Sequence, residues 1–323
     1  ALLATTRSPR RMLSTLASAS AGALLPLQYV EPVFRPPAEA RSFILQATIG
    51  CSWNQCTFCE MYTAPQQQYR MRPLDEIESD LRFVANARVP VTRVFLADGD
   101  ALNLPTKRLR AILELIREHL PGVKRVGSYC LPRNVRNKEV EELAELRELG
   151  LRTLYVGCES GDDEVLRRVG KGETLETSVA ALTKLKAAGL RTSVMILHGL
   201  GGTALSEQHA RNSAALIKAA PPTYLSTLVV SFPRGEEKVA AGFADLPEGF
   251  EPLTDVEVVD EMHAFMSDLE LPPDAKTIFR SNHASNYLNL EGNLPRDRSR
   301  LLAELEQAQR GEVRLRPEWS RGL

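Results

Sequence analysis

Between residues 42 and 232 the chain switches repeatedly from strand-like to helix-like hydrophobic spacing. Phe43-Ile44-Leu45 opens a short apolar strand ending near Ile49; Leu74, Ile77, Leu81 and Val84 then recur at the spacing of one helix face. Val91–Ala97 is strand-like, and Leu109, Ile112, Leu113 and Ile116 mark a helix that Pro105 can start. Val123–Tyr129 is a third strand, followed by a helix carrying Val140, Leu143, Leu146 and Leu149. Arg152–Gly157 and Arg191–Leu197 flank a helix marked by Leu175, Val179, Leu182 and Leu185. A helix over about 204–219 leads to a sixth strand, Tyr224–Ser231. Six such units in series predict parallel strands with right-handed crossovers. An open doubly wound sheet satisfies this order. A barrel, complete or partial, fits better, because polar segments follow almost every strand and a barrel gathers those strand ends on one face.

Outside this region the pattern changes. After residue 232 Pro, Gly and acidic residues fill 233–253. Thr254-Asp255-Val256-Glu257 then reads as a capping box, opening a helix whose buried stripe is Val256, Val259, Met262, Met266 and Leu269. A strand-like piece (Lys276–Arg280), a polar segment (281–286) and a last helix over about 297–309 complete it. The reading is therefore residues 1–40 as an N-terminal extension, 41–232 as a core barrel, and 233–323 as an α-rich extension packed on that core. Residues 1–30 hold Arg7, Arg10 and Arg11, seven Ser/Thr and no acid. That composition resembles a transit peptide and implies a mitochondrion or plastid; a disordered tail or an upstream translation artefact would leave the protein cytoplasmic. Pro26–Ala40 reads as an extended linker.

Three of the five cysteines, Cys51, Cys56 and Cys59, lie within nine residues, directly after the first strand. C-x4-C-x2-C supplies three thiolates to one compact centre, which suits iron–sulfur clusters, zinc or copper(I). A closed structural site normally takes four ligands, and no fourth Cys or His follows nearby: the next are His119 and Cys130. Three ligands on a 4Fe–4S cluster leave one iron open. Two rivals stand beside this reading: a ferredoxin-like electron carrier, which uses the same spacing with a distant fourth cysteine, and a zinc-stabilised loop.

The arrangement resembles the radical S-adenosylmethionine (SAM) superfamily, whose usual spacing is C-x3-C-x2-C with an aromatic before the third cysteine, here Phe58. The first gap is one residue longer than usual. The resemblance covers about residues 42–232. Asp98-Gly99-Asp100, after the second strand, is similar to the motif that helps bind the SAM amino group. Gly157-Cys158-Glu159-Ser160-Gly161, after the fourth, resembles the segment contacting the ribose and methionine end, with Glu159 as the polar ligand. Asp162–Gly172 continues it, with Arg167 or Lys171 facing the SAM carboxylate. Val194–Gly202, including Ile196, resembles the stretch holding adenine. The family implies a 4Fe–4S cluster and SAM as cofactors, and a partial (β/α)6 TIM-like barrel. It also implies an external one-electron reductant of flavodoxin or ferredoxin type, and reductive cleavage of SAM to a 5′-deoxyadenosyl radical that abstracts hydrogen from substrate. The glutamate-serine-glycine segment looks closest to the branch of methylthiotransferases, coproporphyrinogen oxidase-like and cobalamin-dependent tetrapyrrole enzymes.

His198, at the end of the fifth strand, His283, in the polar loop, and Tyr129, after the third strand, are candidate catalytic groups. Each His also reads as a merely hydrogen-bonded structural residue. Arg133 and Asn134 are candidates for the barrel mouth, with Arg133 able to bind an anion or form a surface ion pair. Cys130 and Cys158 read as core. Forty basic and 41 acidic side chains give a net charge of −1, which argues against nucleic acid as partner. No apolar run reaches the roughly 18 residues of a membrane span. A small-molecule substrate is the expectation.

Overall fold

The structure, a computed structural model, describes residues 27–321. The transit-peptide reading of residues 1–30 thus falls, but for its last four positions, outside the described residues.

Strand β1 (Phe43–Gln46) runs on into β2 (Thr48–Ile49), which pairs antiparallel with β3 (Arg70–Met71). Next come α1 (Leu74–Asn86), β4 (Arg93–Ala97), α2 (Thr106–His119), β5 (Arg125–Cys130), α3 (Val140–Glu148) and β6 (Leu151–Glu159). Two helices follow, α4 (Asp163–Arg168) and α5 (Leu175–Ala187), then β7 (Arg191–His198), α6 (Gly202–Ala219) and β8 (Tyr224–Val229). The C-terminal region adds α7 (Glu237–Ala240), α8 (Asp255–Asp268), β9 (Thr277–Ser281), β10 (Leu290–Leu294) and α9 (Arg298–Gln309). The main sheet has the order β1-β4-β5-β6-β7-β8-β9-β10. Every pair is parallel except β9–β10. Sequential order with parallel pairing is the topology of a (β/α) barrel. Among the described residues no pairing joins β10 to β1, so the barrel is partial.

The six expected strands are all present. Two features exceed the sequence reading. β9 joins the sheet as a seventh parallel strand, and β10, absent from that reading, extends the edge. Leu290, Gly292 and Leu294 alternate with exposed Glu291 and Asn293, a pattern too short to separate from a polar loop. The buried face of α8 carries Val258, Val259, Met262, Phe265, Met266 and Leu269, while Val256 is 51% exposed, contrary to expectation. At roughly 100° per residue, Val256 lies about 120° from the centre of that face. The capping box forms as read: Thr254 Oγ1 accepts from Glu257 N, and Glu257 Oε2 accepts from Thr254 N at 2.8 Å.

The strands are apolar on both faces, as barrel strands must be. One large core lies between sheet and helices and includes Val94, Leu96, Val156, Ile196 and the α-helix stripes, with Cys130 and Cys158 buried in it. Ile44, Phe95, Ala97 and Tyr155, from alternate strand positions, form a separate interior cluster with Tyr29, Val33 and Tyr129. The extended segment before the barrel is therefore packed against it. Tyr29 Oη donates to Ile44 O (2.8 Å), and the Gln46 amide bonds both Val30 N (3.0 Å) and Val30 O (3.1 Å).

Candidate functional site

Parallel strands in sequence order bring all their C-terminal ends to one mouth, where the sequence places its polar motifs. The cysteine loop leaves β2 at Gly50 and returns at β3, so the β2–β3 ribbon holds both ends. Gly50 adopts φ +71°, and a Cβ there would meet the backbone of Gln67 and Tyr69, so glycine is required by both conformation and space. Inside the loop Thr57 N donates to Val169 O (2.9 Å) and Trp53 Nε1 to Gly170 O (2.8 Å). These bonds tie the loop to the turn after α4. Phe58 is buried in a second core with Val165, Val169, Leu197, Phe243 and Phe250, against which Cys56 and Cys59 pack. The C-terminal region, through Phe243 and Phe250, thereby supports the cysteine loop.

Cys51, Cys56 and Cys59 are free thiols, each partly exposed. Burial pushes the Cys51 and Cys56 thiols up to about 11, with Lys171 partly opposing it at Cys56. They are neutral until a metal's charge replaces the lost solvation. Among the described residues, the ligand atoms that all lie within 4.8 Å of one another belong to His198, His209 and Glu261, not to the three cysteines. Three thiolates on one loop, with no fourth protein ligand beside them in sequence, suit an iron–sulfur cluster that keeps one iron open.

Around the triad the three Asp98-Gly99-Asp100 positions do different things. Gly99 lies against the cysteine loop: a Cβ would sit 2.6 Å from Cys51 Cα and collide with Gly50 O. Asp100 accepts from Ser52 N (2.8 Å), from Ser52 Oγ and from Asn134 Nδ2 (3.0 Å), joining the loop to the turn after β5. Asp98 turns toward β1, where Gln46 Nε2 donates to Oδ2 at 2.7 Å while Oδ1 is buried without a partner. Burial raises its pKa to about 7 despite that bond.

Glu159 ends β6 at φ +68°. Its Oε1 accepts from Lys171 Nζ (3.1 Å), and its Oε2 is buried without a partner. Lys171 Nζ stands 6.0 Å from the centre of the Phe58 ring. Burial pulls Lys171 down, but Glu159 outweighs it and holds the ammonium above the usual lysine range. Arg167 is not brought to this cluster: it pairs with Glu164 on the exposed face of α4. Arg133 forms an ion pair with Glu173 (2.8 Å) and stacks 3.7 Å over the Trp53 ring.

Ser160 and His198 belong to a neighbouring buried network. Ser160 Oγ lies 2.8 Å from His209 Nδ1. Glu261, from α8, accepts from Gly199 N (2.8 Å) and Ser206 Oγ (2.7 Å) and lies 3.0 Å from His198 Nδ1. His198 also meets the Phe265 ring edge-on, 5.6 Å between centres. It sits beneath α8, not free in the mouth as its strand-end position suggested. Ile196 is buried in the sheet–helix core. His283 is held in the β9–β10 turn by Ser285 (2.9 Å), and Asn286 of that turn bonds Val229 N and Thr227 O. Of the three catalytic candidates Tyr129 faces the barrel interior, edge-on to Phe95. A cavity of about 280 Å³ opens past β7 and β8, lined by Gly199, Ser231, Phe232, Tyr287 and Arg321 among others, and not by the cysteines. Sequence reasoning missed Trp53, His209 and Glu261. Trp53 had a signal, lying inside the cysteine motif; the other two sit on helices and look like ordinary face residues.

Residues 45–211 match the family described as the Radical SAM superfamily. An uncharacterized protein of Methanopyrus kandleri is 28% identical over 58% of this chain and 36% of its own length. The hopanoid C-3 methylase of Methylococcus capsulatus is 27% identical over 46% of this chain and 27% of its own. The heme chaperone HemW of Bacillus subtilis is 21% identical over 54% and 47%. The chain thus spans less than half the length of these curated relatives. Among solved structures, coproporphyrinogen III oxidase (HemN) of Escherichia coli superposes with a TM-score of 0.54 at 18% identity, covering 71% of this chain and 52% of that one, a likeness of fold. With the matched family spanning more than half the residues, and the three-cysteine loop seated at the mouth of a partial parallel barrel, the chain belongs to the radical SAM superfamily.

Proposed function

We propose that this protein cleaves SAM reductively and uses the resulting radical to abstract hydrogen from a small-molecule substrate. The observation that carries the reading is the cysteine triad seated beside a buried, half-satisfied Glu159–Lys171 pair. Bound to Cys51, Cys56 and Cys59, a 4Fe–4S cluster would supply the electron for that cleavage. The chain's own residues do the rest. Glu159 Oε2, a buried acceptor lacking a donor, would take a hydrogen bond from SAM, because an unpartnered buried carboxylate oxygen is costly. Lys171, held protonated, supports a carboxylate ligand better than exposed Arg167 does. Asp100 and Trp53 hold the loop in place. Phe58 and the core behind it keep water from that side. The electron would come from an external one-electron donor of flavodoxin or ferredoxin type.

The near-neutral charge favours a small substrate over nucleic acid. Among the described residues no helix is long and apolar enough to cross a membrane. Location in an organelle or the cytoplasm rests on residues 1–30, and import of a reporter fused to them decides it. The central test is anaerobic reconstitution. The protein should hold about four irons per chain and convert SAM to 5′-deoxyadenosine after reduction, and Cys56→Ala should lose both. A stable two-iron centre without SAM cleavage would transfer the assignment to an electron carrier.

A further inference from the structure

The opposite end of the barrel is built differently from the mouth. At the N-terminal ends of four consecutive strands stand Arg93 (β4), Lys124 and Arg125 (β5), Arg152 (β6) and Arg191 (β7). With Thr92 they line a cavity of about 420 Å³. Strand parity turns three of them inward: Arg93 precedes Phe95 by two residues, Arg125 precedes Tyr129 by four, and Arg191 precedes Ser193, the register partner of Tyr155.

Among the described residues one carboxylate is ion-paired at this end. Glu39 is fully buried and accepts from Tyr155 Oη (2.6 Å), Arg125 Nη2 (2.7 Å) and Ser42 Oγ. Among the described residues Arg93, Lys124, Arg152 and Arg191 make no ion pair, and the Nε of Arg125 is buried without a partner. Residues 1–26 contain no acidic side chain that could serve as counter-ion. Arg93 and Arg125 are direct register partners across β4–β5. Like charges at directly opposed positions destabilise a sheet pair. Among the described residues only the Glu39–Arg125 pair offsets this, and Arg93, Lys124, Arg152 and Arg191 line one concavity that stays open to solvent.

We infer that this cavity binds a compact anion carrying two phosphate groups. Two phosphates at about −1.5 to −2 each match the four unpaired cations. Guanidinium forks fit phosphoryl oxygens bidentately, and the volume lies within the roughly 300–1,000 Å³ of small-molecule sites. An extended polyanion is disfavoured, because the basic groups are confined to one barrel end of a protein with net charge −1. The site is separate from the cysteine loop, which lies at the other end of the same strands, and it does not rest on the proposed SAM chemistry.

The test is calorimetric titration of the reconstituted full chain with inorganic pyrophosphate, orthophosphate and sulfate at two salt concentrations. Pyrophosphate should bind one per chain, at least about tenfold more tightly than the single-group anions, and weaken with salt. The triple variant R93Q/R152Q/R191Q should lose that binding at least about tenfold, keep its SAM cleavage, and unfold no more easily, since repulsion is removed. If the triple variant does not fold, Arg191→Gln alone, at an exposed strand start, should still lower pyrophosphate affinity several-fold. No pyrophosphate binding at millimolar concentration, equal binding by wild type and folded variant, or capture of a single-stranded oligonucleotide in preference to pyrophosphate would each overturn the inference.

Discussion

Lys171 Nζ donates to Glu159 Oε1 across 3.1 Å, and both side chains are almost wholly buried beside the cysteine loop. Removing one member of such a pair strands the other. Lys171→Met should cost about 3–5 kcal/mol in urea unfolding and weaken SAM binding. Arg167→Ala, which alters only an exposed pair with Glu164, should leave both unchanged. Equal losses in the two variants would contradict the assignment of the buried lysine to the site.

Gly99 is the second test, because its backbone abuts Cys51. Gly99→Ala places a Cβ 2.6 Å from Cys51 Cα, with backbone on both sides and no flexible side chain to yield. Overpacking of this kind costs typically about 1–3 kcal/mol. Iron retained after anaerobic reconstitution should fall sharply, while far-ultraviolet circular dichroism stays at the wild-type level. Full iron occupancy would show that the loop relaxes without losing its ligands.

Asp98 links stability to pH. Its folded pKa, near 7, exceeds the unfolded value of about 4 because burial disfavours the anion. The folded state therefore binds the proton more tightly. This position is most favourable below about pH 4, and its contribution is lost as pH rises toward 7. Between pH 5 and 8 the loss amounts to about 2–3 kcal/mol at about 1.4 kcal/mol per pKa unit. Asp98→Asn keeps an acceptor for Gln46 Nε2 and has no proton to lose. Its stability relative to wild type should rise by that amount over the same range, read from urea midpoints; parallel pH profiles would show that Asp98 does not titrate there.

Glu261 carries the fourth prediction. It gathers Gly199 N, Ser206 Oγ and His198 Nδ1 within 3.0 Å. Burial alone would raise its pKa, but His209, His198 and Ser206 outweigh that and hold the carboxylate charged. Glu261→Ala should cost about 3–5 kcal/mol and raise the KM for SAM more than it lowers kcat, since Gly199 follows the strand proposed to hold adenine. Glu261→Gln, which keeps acceptors for two of the donors, should recover part of the stability. A stable alanine variant with unchanged KM would reduce the network to ordinary core.

Much of the fold was legible because period and order are local properties. Six strands and their helices follow from apolar spacing, and sequential parallel strands leave few topologies. The cysteine motif was legible because three thiolates within nine residues are a dense chemical signal. β10 was not, because five alternating residues without a partner strand resemble a loop; the edge of β9 makes them a strand. Val256 misled for a related reason: a hydrophobic residue in the first turn of a helix says nothing about where the buried face is centred.

What the sequence alone determined, then, is the alternating parallel architecture and the presence of a three-thiolate loop after its first strand. Tertiary structure decided between residues of the same type. Lys171 enters the site and Arg167 does not; Glu159 has a free buried oxygen; His198 is committed to Glu261, 63 residues away. Each distinction depends on burial and on a partner distant in the chain. Desolvation makes a lone charge costly and a paired one stable, and no local pattern encodes which neighbour the fold will supply.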